Sequence, residues 1–198
     1  MKQKTIVIVA TLDTKGEEAA FLRKLIQERG HQIILIDTNT GGNASVRPDV
    51  SADEVAKAAG ADIQEVRKMR DTGKAYGIMI EGAIKKVKEL LEQGELDGII
   101  SFGGASNTSM ATAIMKSLPF GIAKVMASST AAMPAYAGGY FGTKDIAILH
   151  SVVDIVGFNP LVKDVLQRAA GMICGMVEMG EGPTSLSRGR KKDLIALT

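Results

Sequence analysis

The fold is decided by the stretch Asp97-Gly98-Ile99-Ile100-Ser101-Phe102-Gly103-Gly104-Ala105-Ser106-Asn107-Thr108-Ser109. Its first half is a short apolar run, which is typical of a buried parallel strand. The run ends at Gly103-Gly104, where the missing side chains permit unusual backbone angles and the close approach of a ligand. Ser106, Asn107 and Thr108 then supply helix N-cap chemistry. Strand, glycine turn and helix N-terminus together predict an anion site, and an ordinary βα turn is an equally good interpretation of this stretch alone.

The N-terminus of the chain repeats this arrangement. The β-branched run Thr5–Ala10 predicts a central parallel strand, and the loop TLDTKG at 11–16 leads from it into a helix. Thr14 has capping-box spacing to Glu17, which is a sufficient structural reason for Thr14. Asp13 and Lys15 have no such reason, and they stand at the strand end where open α/β sheets bind ligands. A turn-stabilising role for Asp13 is an equal alternative.

A second glycine-rich loop follows the next strand. Gln32–Asp37 completes a βαβ unit and runs into Thr38-Asn39-Thr40-Gly41-Gly42. Asp37 stands where the acidic residue of dinucleotide-binding folds accepts a ribose hydroxyl. The first loop lacks the G-x-G-x-x-G pattern, and G-x-x-x-x-G-K-[ST] is absent from the chain. A standard NAD fingerprint and an ordinary P-loop are therefore excluded.

Residues 49–95 predict a helical insertion with two short helices and one long helix. The capping-box pairs are Ser51 with Glu54 and Asp62 with Glu65, and the long helix runs from about Thr72 to Gln93. Its lysine-rich side is interpreted as a solvated face.

Two more strands complete the predicted sheet. Ile122–Ala127 runs into Ser128-Ser129-Thr130, and Ile146–Leu149 leads towards Asp154. Residues 131–144 are rich in small side chains and predict a long loop, a kind of connection that is usually functional or mobile. Asn159 as N-cap, with proline next to it, opens a last helix.

Composition narrows the class of protein. A chain of 198 residues with 45% hydrophobic content forms one large or two small domains, and no apolar run reaches membrane-spanning length. Cys174 is the one cysteine, which excludes an intrachain disulfide and favours the cytoplasm, and it is interpreted as a core residue. His150 is interpreted as structural more readily than as catalytic. Because residues 183–198 carry a net charge of +3, the rest is close to neutral, and nothing indicates a nucleic-acid-binding face.

Four ordered motifs carry a resemblance to a known family. They are TLDTK at 11–15, GGASNTS at 103–109, KVMASST at 124–130 and HSVVDIVGFNP at 150–160. Together they resemble the N-terminal ATP-binding domain of the tomato mosaic virus resistance protein family over about residues 4–180. Family members often have glycine at the position of Asn107. In that family a second domain follows that resembles a phosphoenolpyruvate hydrolase-type barrel. The resemblance therefore implies a nucleotide-binding domain at 1–182, with a basic linker and the start of the barrel-like domain at 183–198.

Residues and resemblance together predict an α/β fold. The expected architecture is three-layer and Rossmann-like (flavodoxin-like), with a mainly parallel five-stranded sheet and a helical insertion. The ligand site is expected across the carboxyl ends of the strands. The resemblance implies that the ligand is ATP. The residues expected to bind it are Thr11, Asp13, Thr14, Lys15, Gly41, Gly42, Gly103, Gly104, Ser106, Asn107, Ser128, Ser129, Thr130 and Asp154.

The charged groups of this set have separate expected roles. Lys15 or Lys144 would neutralise the charge of the phosphates. Asp13 or Asp154 would hold a magnesium ion that bridges phosphate oxygens. The adenosine is expected either towards Gly41-Gly42 or under residues 133–142.

Two classes of function remain open at the level of sequence. The domain is a regulatory or interaction module, or it supplies half of a composite active site of a hydrolase or phosphoryl-transfer enzyme acting on a small phosphorylated or carboxylated substrate. No Ser–His or Cys–His pair has convincing spacing for nucleophilic catalysis. Apolar side chains crowd the predicted loop at Met133, Tyr136, Tyr140 and Phe141. They predict an interface, and with the resemblance a homodimer, against the alternative of a mobile lid on a monomer.

Overall fold

The computed structural model describes residues 2–180 and contains one sheet of five parallel strands. The strands are β1 (Thr5–Ala10), β2 (Gln32–Asp37), β3 (Gly98–Gly103), β4 (Ala123–Ser128) and β5 (Ala147–His150). Their order is β2-β1-β3-β4-β5, and every neighbouring pair is parallel. The predicted Rossmann-like, flavodoxin-like sheet is confirmed, with each strand within one residue of its expected bounds.

Helices cover both faces of the sheet. They are α1 (Gly16–Glu28), α2 (Ala52–Ala58), α3 (Ile63–Lys68), α4 (Thr72–Glu92), α5 (Ala105–Lys116), α6 (Pro134–Phe141) and α7 (Pro160–Met179). Along β1, Ile6 and Ile8 pack with α1 and α7, whereas Val7 and Val9 pack with α2 to α5. Alternate residues of a strand point to opposite faces, so a continuous apolar run is what a strand buried on both sides requires.

The predicted helical insertion is present as α2, α3 and α4. Ser51 closes a complete capping box with Glu54, and hydrogen bonds from Ser51 lower the pKa of the Glu54 carboxyl. Asp62 caps α3 by accepting from the Gln64 N–H rather than from that of Glu65, so the predicted capping box with Glu65 does not form. A Cβ at Gly82 of α4 would collide with the Val55 carbonyl oxygen of α2, which shows that this glycine permits close helix packing.

The prediction of a long loop at 131–144 is wrong, because residues 134–141 form α6. Pro134 occupies the first turn, where its missing N–H has no cost, and the helix packs on α5. The Lys116 ammonium of α5 donates to the Gly139 carbonyl at 2.7 Å.

The packing of α6 removes part of the reasoning for a homodimer. Tyr140 is only 7% exposed within this one chain, so it does not depend on a partner for burial. Met133 is half exposed, and the side chains of Tyr136 and Phe141 lie outside the description. The homodimer stays a prediction.

A polar cluster joins the far ends of α1 and α7. Glu178 accepts hydrogen bonds from Nε and from one terminal nitrogen of the Arg29 guanidinium, and its Oε1 lies 3.1 Å from His31 Nε2. Cys174 is fully buried nearby, as predicted, and burial raises its thiol pKa to about 11. Between residues 2 and 180, every helix is too short or too polar to cross a membrane. The predicted linker at 183–198 lies outside the described residues.

Candidate functional site

The site lies where the chain leaves the sheet in two directions. The helix after β1 packs on one face of the sheet and the helix after β3 packs on the other, although β1 and β3 are neighbours. In sheets of this order, such a divergence opens a crevice at the carboxyl ends of the two strands. A cavity of about 210 Å³ occupies this crevice. Its lining comprises Thr11, Thr14 and Lys15 after β1, residues 104–107 after β3, and residues 154–156 after β5.

The N-terminus of α5 faces this cavity without a side-chain cap. The helix begins at Ala105 with Gly104 as N-cap, and no side chain of residues 2–180 accepts from its first turn. The expectation that Ser106, Asn107 or Thr108 would cap the helix is wrong, because all three lie inside it. The first-turn N–H groups and the positive end of the helix dipole therefore remain available to an anion.

Gly103 and Asn107 fix the shape of the turn before α5. Gly103 has φ +147°, a conformation that side chains disfavour, and a Cβ there would stand 2.7 Å from the Cβ of Asn107. The Asn107 amide donates to the Thr11 hydroxyl at 3.2 Å. Asn107 therefore ties the loop after β3 to the loop after β1, and its side chain helps to shape the cavity floor.

Lys15 brings a positive charge to the cavity. It is the N-cap residue of α1, so the predicted capping role of Thr14 is wrong. The Lys15 ammonium donates to the carbonyl of Ile155, which draws the loop after β5 over the crevice. Lys144 precedes β5 and lies beside Lys124, at the opposite, amino edge of the sheet. The expected role of Lys144 at the phosphates is therefore ruled out.

Asp154 adds a carboxylate to the same lining. Its Oδ1 accepts from the Ser129 hydroxyl at 3.2 Å. A Cβ at Gly104 would lie 3.3 Å from this oxygen, so the carboxylate stands next to the bare backbone at the start of α5. Since a carboxylate repels a phosphate, a cation would have to accompany an anion bound here.

Ser128 and Thr130 do not line the cavity. Ser128 is completely buried, and its hydroxyl lies 2.7 Å from the Thr108 hydroxyl and accepts from the N–H groups of Thr130 and Ala131. The Ser128 hydroxyl thus holds the turn after β4 against α5. Of the predicted Ser-Ser-Thr donors, Ser129 alone stands beside a cavity residue.

Asp13, Gly41 and Gly42 form a contact beside the cavity rather than within it. Asp13 Oδ2 accepts from the Gly42 N–H at 3.3 Å, and a Cβ at Gly41 would collide with the same oxygen. Asp13 lines a second cavity, so it and Asp154 do not stand together as ligands of one metal ion. Within residues 2–180, no three His, Cys, Asp or Glu side chains are grouped to hold a metal ion.

Asp37 is part of the fold and not of the site. It is buried, and its carboxylate accepts from the N–H groups of Leu12 and Asn39 at 3.1 and 3.0 Å. Burial outweighs these bonds and raises the Asp37 pKa. The expected ribose contact of Asp37 is not supported, because its carboxylate is already occupied by these N–H groups and by the Asn39 amide, and it lines neither of the two cavities.

The sequence-based predictions missed three residues of the lining, which are Ala105, Ile155 and Val156. Ile155 takes part through its backbone carbonyl, for which side-chain patterns give no signal. Val156 is 62% exposed at the cavity and stands within the HSVVDIVGFNP motif.

Comparison with known proteins gives a consistent family. The model of the "Uncharacterised protein family (UPF0261) N-terminal domain" matches residues 4–182. The UPF0261 protein of Clostridium tetani is 41% identical over 180 residues, which is 91% of this chain and 44% of that protein. The ToMV susceptible protein tm-1(GCR26) of Solanum lycopersicum is 36% identical over 105 residues, 53% of this chain and 14% of that protein. The chain thus spans less than half the length of these curated relatives.

A comparison of structures gives a more distant likeness. Drosophila melanogaster DJ-1beta matches 96% of this chain and 100% of its own chain at 12% identity, with a TM-score of 0.38.

Proposed function

We propose that this chain, which belongs to the protein family UPF0261 and spans its N-terminal domain, binds a nucleoside phosphate in the crevice between β1 and β3. One observation carries the proposal. The uncapped N-terminus of α5, preceded by Gly103 and Gly104, opens onto a cavity that also holds the Lys15 side chain. Free backbone N–H groups, a helix dipole and a lysine in one crevice suit a phosphate group.

The charges in the crevice favour a phosphate that carries a metal ion. Lys15 and the helix dipole attract an anion, while the Asp154 carboxylate repels one. Mg²⁺ is held in proteins by one or two carboxylates together with substrate phosphates, so Asp154 fits as a partial ligand. Asp13 faces a different cavity and drops out of this role. When bound, the ion would neutralise the phosphate oxygens, and the hydroxyls of Thr11 and Ser106 would add neutral donors.

ATP is the nucleotide that we propose. The choice rests on the motifs TLDTK and GGASNTS, which resemble an ATP-binding domain and whose residues Thr11, Lys15 and Gly104 line the cavity. In thermal melts of the 198-residue chain freed of co-purified nucleotide, ATP with Mg²⁺ should raise the melting temperature. A ligand at 100 times its Kd stabilises the native state by about 2.7 kcal/mol. An unchanged melting temperature at millimolar ATP would contradict the proposal.

We propose that the nucleotide has a regulatory role, and that this chain by itself binds it without hydrolysing it. Within the described residues, the cavity lining contains no histidine or cysteine that could act as a base or nucleophile. Phosphate release from ATP should therefore stay at background. Steady release by the purified chain that disappears on Asp154→Ala would show this inference to be wrong.

The composite active site is the second candidate, and the length of the relatives favours it. This chain covers 44% of the Clostridium tetani protein, and its cavity is rimmed by the exposed Val156 side chain. A remaining half of such a protein would supply catalytic groups across the rim. Turnover by the full-length Clostridium tetani protein, absent from its N-terminal part alone, would support this candidate over a purely regulatory domain.

A further inference from the structure

A second cavity, of about 270 Å³, adjoins the first on the side of α1. Thr14 lines both cavities, so they meet at this residue. Each cavity alone is smaller than the roughly 300 Å³ at which small-molecule pockets usually begin, and the two together exceed it. A ligand of nucleotide size would therefore occupy both.

Glu18 presents a free hydrogen-bond acceptor to the second cavity. The residue lines the cavity and is only 3% exposed, and its carboxylate oxygens keep their access to the cavity space. No hydrogen bond or ion pair of residues 2–180 engages this carboxylate. A hydrogen-bond donor on a ligand would therefore find an unoccupied acceptor there.

The neighbours of Glu18 narrow the chemistry of that donor. Asp13 and Glu17 also line the cavity, so phosphate would be repelled there. A metal ion is not favoured either, since the described residues hold no group of three or more metal-ligating side chains. A neutral group rich in hydroxyls remains, and ribose hydroxyls are common donors to carboxylates in folds of this kind.

We propose that the second cavity binds the ribose of the nucleotide whose phosphates lie in the first, with the Glu18 carboxylate accepting from a ribose hydroxyl. This inference rests on the proposed function and extends it. The charge distribution then sets the orientation of the ligand. Lys15 and the α5 N-terminus hold the phosphates, and Asp13, Glu17 and Glu18 face the sugar.

The first test uses the unmodified chain and three ligands with Mg²⁺. Isothermal titration calorimetry would measure the Kd of ATP, 2′,3′-dideoxy-ATP and inorganic triphosphate. A hydrogen bond to a charged acceptor corresponds to about tenfold or more in Kd, so ATP should bind at least that much more tightly than the dideoxy compound. The dideoxy compound lacks only the donors that Glu18 would receive.

The second test uses a matched pair of variants. Glu18→Met keeps the length of the side chain and removes the acceptor, and methionine is a good helix former. Glu28→Met is the control, because Glu28 lies on the same helix, is exposed, and forms an ion pair with Lys24 at 3.8 Å. Glu18→Met should remove most of the advantage of ATP over dideoxy-ATP and leave the Kd of triphosphate unchanged. Glu28→Met should change neither.

The possible failures are distinguishable. If triphosphate binds and the dideoxy compound binds as tightly as ATP, the ribose site is overturned while the phosphate site stands. The same conclusion follows if Glu18→Met weakens triphosphate and ATP equally. If neither ATP nor triphosphate binds to the unmodified chain, both the ribose site and the proposed function are overturned.

Discussion

A methyl group at position 104 would test the phosphate site most directly. Gly104 is the N-cap of α5, with φ −86° and ψ −159°, which is extended backbone that an alanine also adopts. A Cβ there would lie 3.3 Å from Asp154 Oδ1 and 3.8 Å from Ser129 Oγ. Gly104→Ala therefore places a methyl group between the Asp154 carboxylate and the first turn of α5, without backbone strain.

The expected effects on stability and on binding differ in size. The Asp154 side chain is exposed and can yield by a few tenths of an ångström, and alanine restricts the unfolded chain, which stabilises by about 0.4–1 kcal/mol. The free energy of unfolding should thus change by less than about 1 kcal/mol. Binding should lose at least one hydrogen bond between an N–H group and a charged phosphate, about 1.5–3 kcal/mol, or about 10- to 100-fold in Kd.

Titration calorimetry with Mg-ATP and urea denaturation would measure the two quantities on the same preparation. Gly171→Ala is the matched control, because a Cβ at Gly171 in α7 meets no atom within 4 Å. It should stabilise the helix by up to about 1 kcal/mol and leave the Kd unchanged. If Gly104→Ala binds Mg-ATP as tightly as the unmodified chain, the phosphates do not lie on the α5 N-terminus and the proposed site is refuted.

Four further predictions concern the scaffold and the assembly of the chain. Lys124 is completely buried and pairs with Asp145 at 2.8 Å, so Asp145→Asn should lower the free energy of unfolding by about 3–5 kcal/mol, since it leaves a buried charge unpaired. Burial holds the Lys124 pKa below its ordinary value of about 10.4, so the free energy of unfolding should rise with pH between that lowered pKa and about 10.4. In the Asp145→Asn variant, which lacks the carboxylate that raises this pKa, the rise should begin at a lower pH. Urea midpoints that do not change with pH would contradict this. His31 and Arg29 hold the Glu178 pKa below its ordinary range. The stabilisation from Glu178 should therefore be complete above about pH 4.3 and be lost as pH falls through the lowered pKa. Glu178→Gln should flatten the acid limb of a melting-temperature profile against pH. Light scattering should give twice the chain mass of 20.9 kDa if the homodimer forms, and a concentration-independent 20.9 kDa would exclude it.

The sheet could be predicted closely because each strand satisfies one strong requirement. A strand covered by helices on both faces has to be apolar along its whole length, and glycine or polar residues bound each such run. Thr5–Ala10 and Gly98–Gly103 meet that requirement almost without exception. The number of strands and their bounds therefore follow from local sequence.

The helix α6 could not be predicted from local sequence. Its two glycines have low helix propensity, and its run of small side chains resembles a loop. What stabilises the helix is contact with α5 and the bond from Lys116 to Gly139, which is tertiary structure that local patterns do not contain.

The division between Ser128 and Ser129 did have a signal in the sequence. Side chains alternate along β4, so Met126 packs with α5 on one face and Val125 and Ala127 pack with α7 on the other. Ser128 continues the side of Met126 and meets Thr108 of α5. Carrying the alternation one residue past the apolar run, which ends at Ala127, would have assigned Ser128 to the interior.

The place of the site depends on strand order, which local sequence patterns do not reveal. Asn107 and Thr11 are 96 residues apart, and they meet because β3 lies beside β1. In this order the carboxyl end of β4 is one strand further from the crevice, so Thr130 lies outside the lining although its chemistry suits a phosphate. Asp154 follows β5, two strands away, and reaches the crevice because Lys15 binds the Ile155 carbonyl and draws that loop back. The composition of the site is thus fixed by topology and by one lysine, and only then by the motifs.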